Sequence, residues 1–395
     1  MQWLVQSLAE RLTAAGDDVT VWTTDAYSCE LFINPRQPRL PVGEVVLNGV
    51  RVRRFPVFNG WTQLRLNVAR LAHKLRLPGQ DWLRGLYFGP IVPGLRKAIL
   101  HQPADVIVAA SFPMIHMYDA LVAGQASGRP VVLIGTVHPT DPWSYDLPRM
   151  YRAIDQAQAY IALSDYERSY LVARCPDARI YVIGGGVDTA SLSSPVAGQA
   201  FRRRHGWTDN TFVIAMIGRL TAYKRSDIML AALPIIWHAL PQARLLLAGA
   251  GTSEIGRLRA SIQALPYPDR VTLIADFDEQ DKPAIFSAAD VIVQLSDRES
   301  FGLVIVEGWA AGKPVIAVCA GASVSLIAEG QDGLLVQYGD AADLARAVIA
   351  LGQSVALRQA MGRAGQIKAR QHYDWQVIVP RYRSVFGALM NSKVI

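Results

Sequence analysis

Residues 212–225 read FVIAMIGRLTAYKR, and this stretch decides the fold class. Six consecutive apolar residues, 212–217, predict a strand buried on both faces, which is typical of a parallel sheet covered by helices. Gly218 ends the run, and a loop with three cations follows it. Because short apolar runs alternate with helical segments along the whole chain, we expect an α/β protein with parallel sheets.

The two halves of the chain share this rhythm of strand and helix. A stretch of small, polar and basic residues, 191–210, interrupts it. We therefore predict two Rossmann-like domains facing each other across a cleft, over residues 1–190 and 211–374, with 191–210 as a linker and a C-terminal helix over 375–395 that completes the first domain. The runs that predict strands are 19–23, 105–110, 131–135, 159–163, 180–183, 212–217, 244–248, 271–274, 291–295, 315–318 and 333–336.

The amino-terminal end departs from the usual order. A doubly wound domain opens with a buried strand and a glycine-rich turn before its first helix. This sequence opens directly on a helical pattern, which runs into the apolar stretch 19–23. We expect the first strand of this domain to be absent from residues 1–395.

Composition excludes several protein classes. The 395 residues are 51% apolar and 18% charged, which excludes wholesale disorder, collagen and coiled coil. The three cysteines are widely spaced and odd in number, so we expect neither a disulfide framework nor a metal knuckle. We therefore expect the protein to reside in a reducing cytoplasm. No apolar run reaches the 18 or so residues of a membrane span, and we expect no signal peptide.

The net charge of +7 is concentrated in residues 49–103. This basic segment contains ten Lys and Arg residues against the single acid Asp81, interleaved with Trp, Leu and Tyr residues. Such a mixture favours a surface that touches anionic lipid or an anionic acceptor. The solvated face of two ordinary amphipathic helices is an equally good interpretation. No nucleic acid is expected as a partner, because an Arg and Lys excess without a recognisable binding module is poor support for it.

Residues 297–307, DRESFGLVIVE, join a predicted strand to a helix that begins near Phe301. The start of a helix offers N–H groups and a positive dipole end to a phosphate, and Gly302 allows close approach to the backbone. Glu307 lies in an apolar stretch, where a ribose diol would satisfy its carboxylate, and Glu299 could reach a sugar hydroxyl. Each glutamate also has an interpretation without a ligand. Glu299 would then be a solvated charge in a loop, and Glu307 would be an ordinary helical glutamate paired with Lys or Arg.

Two further loops end at the same expected sheet edge, where open α/β sheets bind ligands. Gly218 is followed by Arg219 and Lys224, two cations that can neutralise a diphosphate. A solvated turn would contain the same residue types. Gly249 follows the next strand, but a lone Gly-x-Gly is weak support and fits ordinary turn glycines.

His138 follows the predicted strand 131–135 and is therefore also expected at a carboxyl edge. A histidine there can bind a sugar hydroxyl or polarise an acceptor. A structural loop histidine is the competing interpretation. His116 and Asp119 support a weaker version of the same argument.

The motifs together resemble the retaining glycosyltransferases of family 4, which have the GT-B architecture. The resemblance rests on Gly-Arg-Leu with a lysine five residues after the arginine, and on Glu299-x7-Glu307 around Phe301-Gly302. It extends over nearly the whole chain, including His138, Ser164-x-Tyr166 and Gly186-Val187-Asp188.

The resemblance implies a role for each site residue. Arg219 and Lys224 would hold the donor diphosphate, with Gly218 and Gly249 at the sheet edge. Glu299 would contact the donor sugar and Glu307 the nucleotide ribose. His138 would lie near the anomeric centre, and the enzyme would need neither a metal nor another cofactor. The backbone that would reach the phosphates belongs to Phe301, Gly302 and Leu303.

Three features depart from the family pattern. The first strand and its glycine-rich loop are missing. Gly184-Gly185 replaces the usual Pro-Asn before Gly-Val-Asp, and Ser325 replaces the glutamate of the usual Gly-Gly-x-Pro-Glu loop in residues 321–325.

We therefore predict a retaining glycosyltransferase that moves a sugar from a nucleotide-diphosphate sugar to a glycan or lipid-linked acceptor. It would be cytoplasmic, with peripheral attachment to the inner membrane face through residues 49–103 as an open alternative. One rival is a non-catalytic nucleotide-sugar-binding protein or partner subunit with a degenerate acceptor domain. Another is a sugar-nucleotide epimerase of the same architecture.

Overall fold

The computed structural model describes residues 2–391, which divide into two units. Unit 1 comprises the chain up to Gly184 and the part from Val379 onward. Unit 2 runs from Gly185 to Ile378.

Unit 1 contains two sheets. Three strands form a mixed sheet of order β1-β3-β2, in which β1 pairs with β3 in parallel and β2 pairs with β3 in antiparallel. Four strands form a parallel sheet of order β4-β5-β6-β7. The strands are β1 (Thr20–Thr24), β2 (Gly43–Leu47), β3 (Val50–Phe55), β4 (Ile107–Ala110), β5 (Val131–Ile134), β6 (Ala159–Ala162) and β7 (Ile180–Val182).

Helices cover both sheets of unit 1, and they share one apolar core. Trp22 of β1 and Phe55 of β3 pack on the same cluster of buried side chains as Ala109 of β4. The helices are α1 (Gln2–Ala14), α2 (Thr62–Lys74), α3 (Gln80–Phe88), α4 (Leu95–His101), α5 (His116–Ala126), α6 (Pro142–Tyr145), α7 (Pro148–Gln156) and α8 (Asp165–Val172).

Unit 2 is built on one parallel sheet of six strands, in the order β10-β9-β8-β11-β12-β13. All six side chains of β8 are buried, as the apolar run at 212–217 predicts. The strands are β8 (Phe212–Ile217), β9 (Ala243–Gly249), β10 (Val271–Ala275), β11 (Val291–Gln294), β12 (Val315–Val318) and β13 (Gly333–Val336).

Ten α-helices are described for the part of the chain from Thr189 to Asn391, and α18 is divided between the units at Val379. They are α9 (Thr189–Leu192), α10 (Pro195–Arg204), α11 (Ser226–Ala239), α12 (Ile255–Gln263), α13 (Lys282–Ala288), α14 (Leu303–Ala310), α15 (Ser323–Leu326), α16 (Ala341–Gln353), α17 (Val355–His372) and α18 (Trp375–Asn391).

The predicted linker over 191–210 is largely helical in the structure. It contains the end of α9 and all of α10, and α10 packs on α13 within unit 2. A Cβ on Gly198 of α10 would lie 2.7 Å from the backbone of Ser287, so the two helices are in very close contact. The division of the chain falls at Gly184, ahead of the predicted position.

Every predicted strand has a counterpart in the structure, but the hairpin of β2 and β3 was not predicted. The residues described before β1 form α1, and no strand precedes α1 within residues 2–391. Over the same residues, no helix is both long enough and apolar enough to cross a bilayer.

Candidate functional site

The carboxyl ends of β8 and β9 approach each other at two glycines. A Cβ on Gly249 would lie 1.6 Å from the carbonyl oxygen of Gly218, so only glycine fits there. Gly218 has φ +139°, in the region that disfavours other side chains. A Cβ on Gly218 would lie 3.9 Å from Lys224 Nζ, so the lysine amine lies over this glycine. At this sheet edge, bare backbone therefore lies directly below the Lys224 amine.

Lys224 and Glu299 form an ion pair, with Nζ and Oε1 at 2.5 Å. Both side chains are largely buried, with exposed fractions of 16% and 17%. Arg219 is exposed, and its guanidinium donates a hydrogen bond to the Tyr223 hydroxyl at 2.8 Å. The predicted diphosphate-binding cations thus lie in one loop, and one of them already binds a carboxylate.

Glu307 lies in the second turn of α14 and is 3% exposed. Its Oε1 accepts a charged hydrogen bond from Lys282 Nζ at 2.6 Å, and Glu279 Oε2 lies 3.4 Å from the same amine. The structure therefore realises the alternative interpretation of Glu307, a helical glutamate paired with a lysine. A ribose contact stays a prediction, and it has to be compatible with this pair.

Burial governs the protonation of this pair. It raises the pKa of Glu307, and the charge and hydrogen bond of Lys282 oppose that rise. Burial alone would lower the pKa of Lys282, but the carboxylates of Glu307 and Glu279 outweigh it and leave the pKa raised. Lys224 also acts on Glu307 electrostatically, so the two ion pairs belong to one charge cluster.

The start of α14 is shaped by packing. Gly302 precedes the helix with φ +91°, and Leu303 is its first residue. The Phe301 ring is 6% exposed and meets Tyr373 edge to face at 5.6 Å. A Cβ on Gly185 would lie 3.2 Å from that ring, so the glycine that replaces the usual asparagine packs on Phe301.

The loop at 321–325 supports Glu299 through the backbone. Ala322 N–H donates to the carbonyl of Glu299 at 3.1 Å. Gly321 has φ +61°, and a Cβ there would lie 2.8 Å from the carbonyl oxygen of Asp297. The Ser325 hydroxyl donates to the Ala322 carbonyl at 2.9 Å, inside the loop. The serine that replaces the family glutamate thus stabilises the loop locally.

A small cavity lies directly under this sheet edge, lined among others by Gly218, Lys224, Thr221 and Gln294. Gln294 is 2% exposed, and within the described residues its Nε2 has no hydrogen-bond partner, nor does the Thr221 hydroxyl. Buried polar atoms without a partner are rare and unfavourable. Their position beside the cations is therefore a further sign that this edge binds a polar ligand.

His138 belongs to unit 1, in the loop that follows β5. Its ring meets Tyr145 edge to face at 5.2 Å. The backbone of this loop is held by the carboxylate of Glu167, which accepts the Val137 N–H at 3.0 Å, as well as the N–H of Thr136.

Glu167 is fully buried at the start of α8. It also accepts the Tyr160 hydroxyl at 2.6 Å and the Leu163 N–H at 2.8 Å. Burial raises the pKa of Glu167 to about 7 against these hydrogen bonds. A Cβ on Gly135 would lie 1.9 Å from Glu167 Oε1, so the glycine makes room for the carboxylate.

The end of β4 adds a strained residue beside this loop. Ser111 has φ +88°, a left-handed conformation that is unfavourable for serine and is found mainly at ligand sites. Its hydroxyl lies 3.5 Å from the Thr136 hydroxyl at the end of the neighbouring strand. His116 is partly buried, and its Nε2 donates to the Ala110 carbonyl at 2.8 Å, which gives it a structural role. Asp119 lies 3.7 Å from Arg96.

The structure brings most of the predicted site residues together in unit 2. One sheet edge contains Gly218, Gly249, Lys224 and Glu299. Lys224 links this group electrostatically to Glu307. His138 lies in unit 1, so its place near an anomeric centre stays a prediction.

Four residues with a clear part in these sites were not predicted. Lys282, Gln294 and Ser111 show no local pattern that would have found them. Glu167 does, because Ser164-x-x-Glu167 is the pattern of a capping box, and Ser164 indeed accepts the Glu167 N–H at 3.3 Å.

No three His, Cys, Asp or Glu side chains among residues 2–391 are grouped so that they could hold a metal ion. The chemistry of the unit 2 edge is instead that of cations, carboxylates and amides. Such a set binds a ligand that combines anionic oxygens with hydroxyl groups.

Fold and site together define the chain as a GT-B protein with two Rossmann-like domains. Two family models match it: "Glycosyl transferases group 1" over residues 198–368 and "Glycosyltransferase Family 4" over residues 1–191. The chain belongs to glycosyltransferase family 4.

Curated relatives agree with this assignment. The chain is 35% identical over 231 residues to the D-inositol 3-phosphate glycosyltransferase of Pseudarthrobacter chlorophenolicus, covering 57% of this chain and 54% of the relative. It is 32% identical over 235 residues to the phosphatidyl-myo-inositol mannosyltransferase of Mycobacterium leprae, covering 59% of each. The chain thus spans little more than half the length of the curated relatives it matches.

Solved structures share the fold. Sucrose-phosphate synthase from Thermosynechococcus elongatus superposes with a TM-score of 0.74 at 20% identity, covering 98% of this chain and 93% of that one. Anabaena HepE in complex with UDP and glucose superposes with a TM-score of 0.67 at 22% identity, covering 94% and 100%.

The raised pKa of Glu167 predicts a pH-dependent stability. The folded chain keeps this proton up to pH about 7, whereas the unfolded chain releases it near the ordinary value of 4.5. The free energy of unfolding should therefore fall as pH rises through this window, by up to about 3 kcal/mol from this group. Glu167→Gln removes the titration, so the stability advantage of the wild type over this variant should shrink between pH 5 and pH 8.

Urea denaturation of both chains at the two pH values measures this difference. Tyr160→Phe is the matched control, because it removes one hydrogen bond to Glu167 and keeps the carboxyl group. It should keep a pH-dependent stability, because the carboxyl group still titrates, and loss of the Tyr160 hydroxyl raises the pKa of Glu167 further. If the free energy of unfolding of the wild type exceeds that of Glu167→Gln by the same amount at both pH values, the raised pKa of Glu167 is contradicted.

Proposed function

We propose that this protein transfers a sugar from a nucleotide-diphosphate sugar to an acceptor hydroxyl. The observation that carries the proposal is the Lys224–Glu299 ion pair over the Gly218–Gly249 edge, where a cation and a carboxylate are held for a ligand with both phosphates and hydroxyls. Relatives named as glycosyltransferases, and a structural neighbour solved with UDP and glucose, support it.

In this proposal the donor exchanges partners with the ion pair. The diphosphate replaces Glu299 at Lys224 Nζ, and Arg219 turns from Tyr223 to the outer phosphate. Glu299, released from the lysine, accepts hydrogen bonds from the hydroxyls of the donor sugar. Glu307 accepts the ribose hydroxyls, and the first N–H groups of α14, next to Gly302 and Leu303, add hydrogen-bond donors for phosphate oxygens.

The proposed transfer retains the configuration at the anomeric carbon by a front-face mechanism. The bond from the anomeric carbon to the diphosphate oxygen breaks, and a bond to the acceptor oxygen forms on the same face. The acceptor proton passes to the leaving diphosphate. Lys224 and Arg219 stabilise the charge that develops on that leaving group, so no metal ion is needed.

The proposed acceptor is a polyol or a lipid-linked polyol. Two relatives carry inositol 3-phosphate or phosphatidyl-myo-inositol in their names. In unit 1, His138 lies on the loop that Glu167 anchors, beside the hydroxyls of Ser111 and Thr136. These groups suit the binding of acceptor hydroxyls.

The basic segment supports contact with an anionic membrane. Five exposed apolar residues follow the helical spacing of one face on and around α2: Trp61, Leu64, Val68, Leu71 and Leu75. Trp61 is 78% exposed. Arg70, Lys74 and Arg76 are exposed along the same helix and the turn after it. An apolar stripe bordered by cations is the pattern of a helix that lies in a membrane interface.

Two arginines of the segment have internal roles instead. Arg84 is 4% exposed, and its guanidinium donates to the Pro142 carbonyl at 2.9 Å and lies over the Trp143 ring. Arg65 donates to the Leu86 carbonyl at 3.0 Å. The membrane surface that we propose is therefore made by α2 and its flanks.

Lys224→Ala and Glu299→Ala should each lower transfer by at least about a hundredfold, because each removes a group aimed at the reacting donor. Released nucleoside diphosphate measures turnover, and circular dichroism checks the fold. Arg346→Ala is the control, since it removes an exposed cation of unit 2 that pairs with Asp343. Near-normal turnover of both site variants would contradict the proposed site.

Binding to vesicles should depend on anionic lipid and should weaken as salt is raised. Arg70→Glu combined with Lys74→Glu should reduce co-sedimentation with phosphatidylglycerol vesicles several-fold, because it reverses charge beside the apolar stripe. The double control Arg203→Glu and Arg204→Glu reverses two exposed charges on α10, outside the segment. Equal binding to neutral and anionic vesicles would refute the membrane surface.

A further inference from the structure

We propose that Lys282 is a positioning residue for donor recognition: it keeps Glu307 ionised, so that both carboxylate oxygens can accept the two hydroxyls of the donor ribose. The inference rests on the proposed function, in which Glu307 binds that ribose. It assigns a role to a side chain outside the Glu-x7-Glu motif.

The geometry places Lys282 in direct contact with Glu307, the second glutamate of the motif. It is the first residue of α13, its side chain is 15% exposed, and its Nζ lies 2.6 Å from Glu307 Oε1. The Glu307 side chain is 4% exposed. An isolated carboxylate at that depth would favour its neutral form, because burial penalises the charge. The ammonium group of Lys282 offsets that penalty.

The other charged groups around Glu307 do not replace Lys282. Glu279, in the turn before α13, adds a negative charge that favours protonation of Glu307. Lys224 acts on Glu307 as well, but its amine is paired with Glu299 at 2.5 Å. Lys282 is therefore the cation in direct contact that keeps Glu307 charged.

The charge state of Glu307 decides how it binds a ribose. A ribose diol offers two O–H donors, and an ionised carboxylate is an acceptor at both oxygens. A protonated carboxyl group presents one O–H of its own, so one ribose hydroxyl would lose its charged acceptor. Hydrogen bonds to a charged acceptor are the stronger ones, so the loss would reduce the preference for ribose over 2′-deoxyribose.

The test is a binding titration of the full chain and of Lys282→Met. The probes are UDP, GDP and ADP and their 2′-deoxy forms, between pH 6 and pH 9. For the nucleotide that the wild type binds best, Lys282→Met should bind at least about tenfold more weakly at pH 6. The difference should narrow as pH rises and Glu307 ionises, because the ribose hydroxyls favour the ionised form. The preference over the 2′-deoxy form should be lost at pH 6 and recovered at pH 9.

Two variants separate this role from a structural one. Lys368→Met removes a lysine that pairs with another buried carboxylate of unit 2, Asp332, at 2.8 Å. It should leave the pH profile and the ribose preference unchanged. Lys282→Arg keeps the positive charge, so it should show the pH profile and the ribose preference of the wild type.

The outcomes are distinguishable from failure of the proposed function. A loss of affinity that is the same at every pH, or equal for ribose and 2′-deoxyribose, would overturn the role of Lys282 while leaving the donor site standing. Unchanged binding by Lys282→Met would do the same. Failure of the wild type to bind any of the three nucleotides would contradict the proposed function, and this inference with it.

Discussion

The contact between Lys224 and Glu299 is the interaction on which the unit 2 site depends. It joins the loop after β8 to the loop after β11, and its lysine lies over Gly218, whose carbonyl approaches Gly249 so closely that Gly249 has no room for a side chain. The parallel sheet brings these loops to one edge because all of its strands end on the same side. The second pair, Lys282 with Glu307, is coupled to the first through Lys224. The site is thus a small charge cluster held by a rigid sheet, and in the proposed function one of its ion pairs, Lys224–Glu299, opens to the ligand.

In unit 1, too, an ionisable side chain holds a loop at the end of a strand, and that side chain is Glu167. The buried carboxylate of Glu167 accepts backbone N–H groups from the loop that contains His138, and Gly135 makes room for it. The strained Ser111 lies at the end of the neighbouring strand, β4. In unit 1 a buried glutamate holds a loop through backbone N–H groups, whereas in unit 2 the Lys224–Glu299 ion pair joins two loops at the sheet edge. Burial raises the pKa of Glu167 in unit 1 and of Glu307 in unit 2.

The sequence predicted the fold well where a strand is buried on both faces. Residues 212–217 form β8 without any shift, because a six-residue apolar run ended by glycine is typical of a strand buried on both faces. The hairpin of β2 and β3 was missed because β2 is mostly exposed and the apolar residues of β3 are interrupted by arginines. The linker prediction at 191–210 was misled by composition: α10 is rich in arginine, yet it packs on α13 through Gly198.

The site was predicted as far as local motifs extend. Gly218, Lys224 and Glu299 stand out because they follow strands, and Glu307 stands out because it completes a Glu-x7-Glu motif around the start of a helix. Lys282 could not be predicted, because its contact with Glu307 joins two helices that only the fold brings together. Lys224 and Glu299 were predicted at the same sheet edge, but their ion pair was not predicted. It changes the chemistry, since the cation expected to bind phosphate already binds a carboxylate.

The exchange of partners at Lys224 is the central claim, and a calorimetric titration with a nucleoside diphosphate tests it most directly. Glu299→Gln removes the internal competitor for the lysine and keeps the shape of the side chain. The account predicts that this variant binds the sugar-free nucleoside diphosphate several-fold more tightly than the wild type, since Lys224 no longer has to leave a carboxylate. Equal or weaker binding by Glu299→Gln would contradict it.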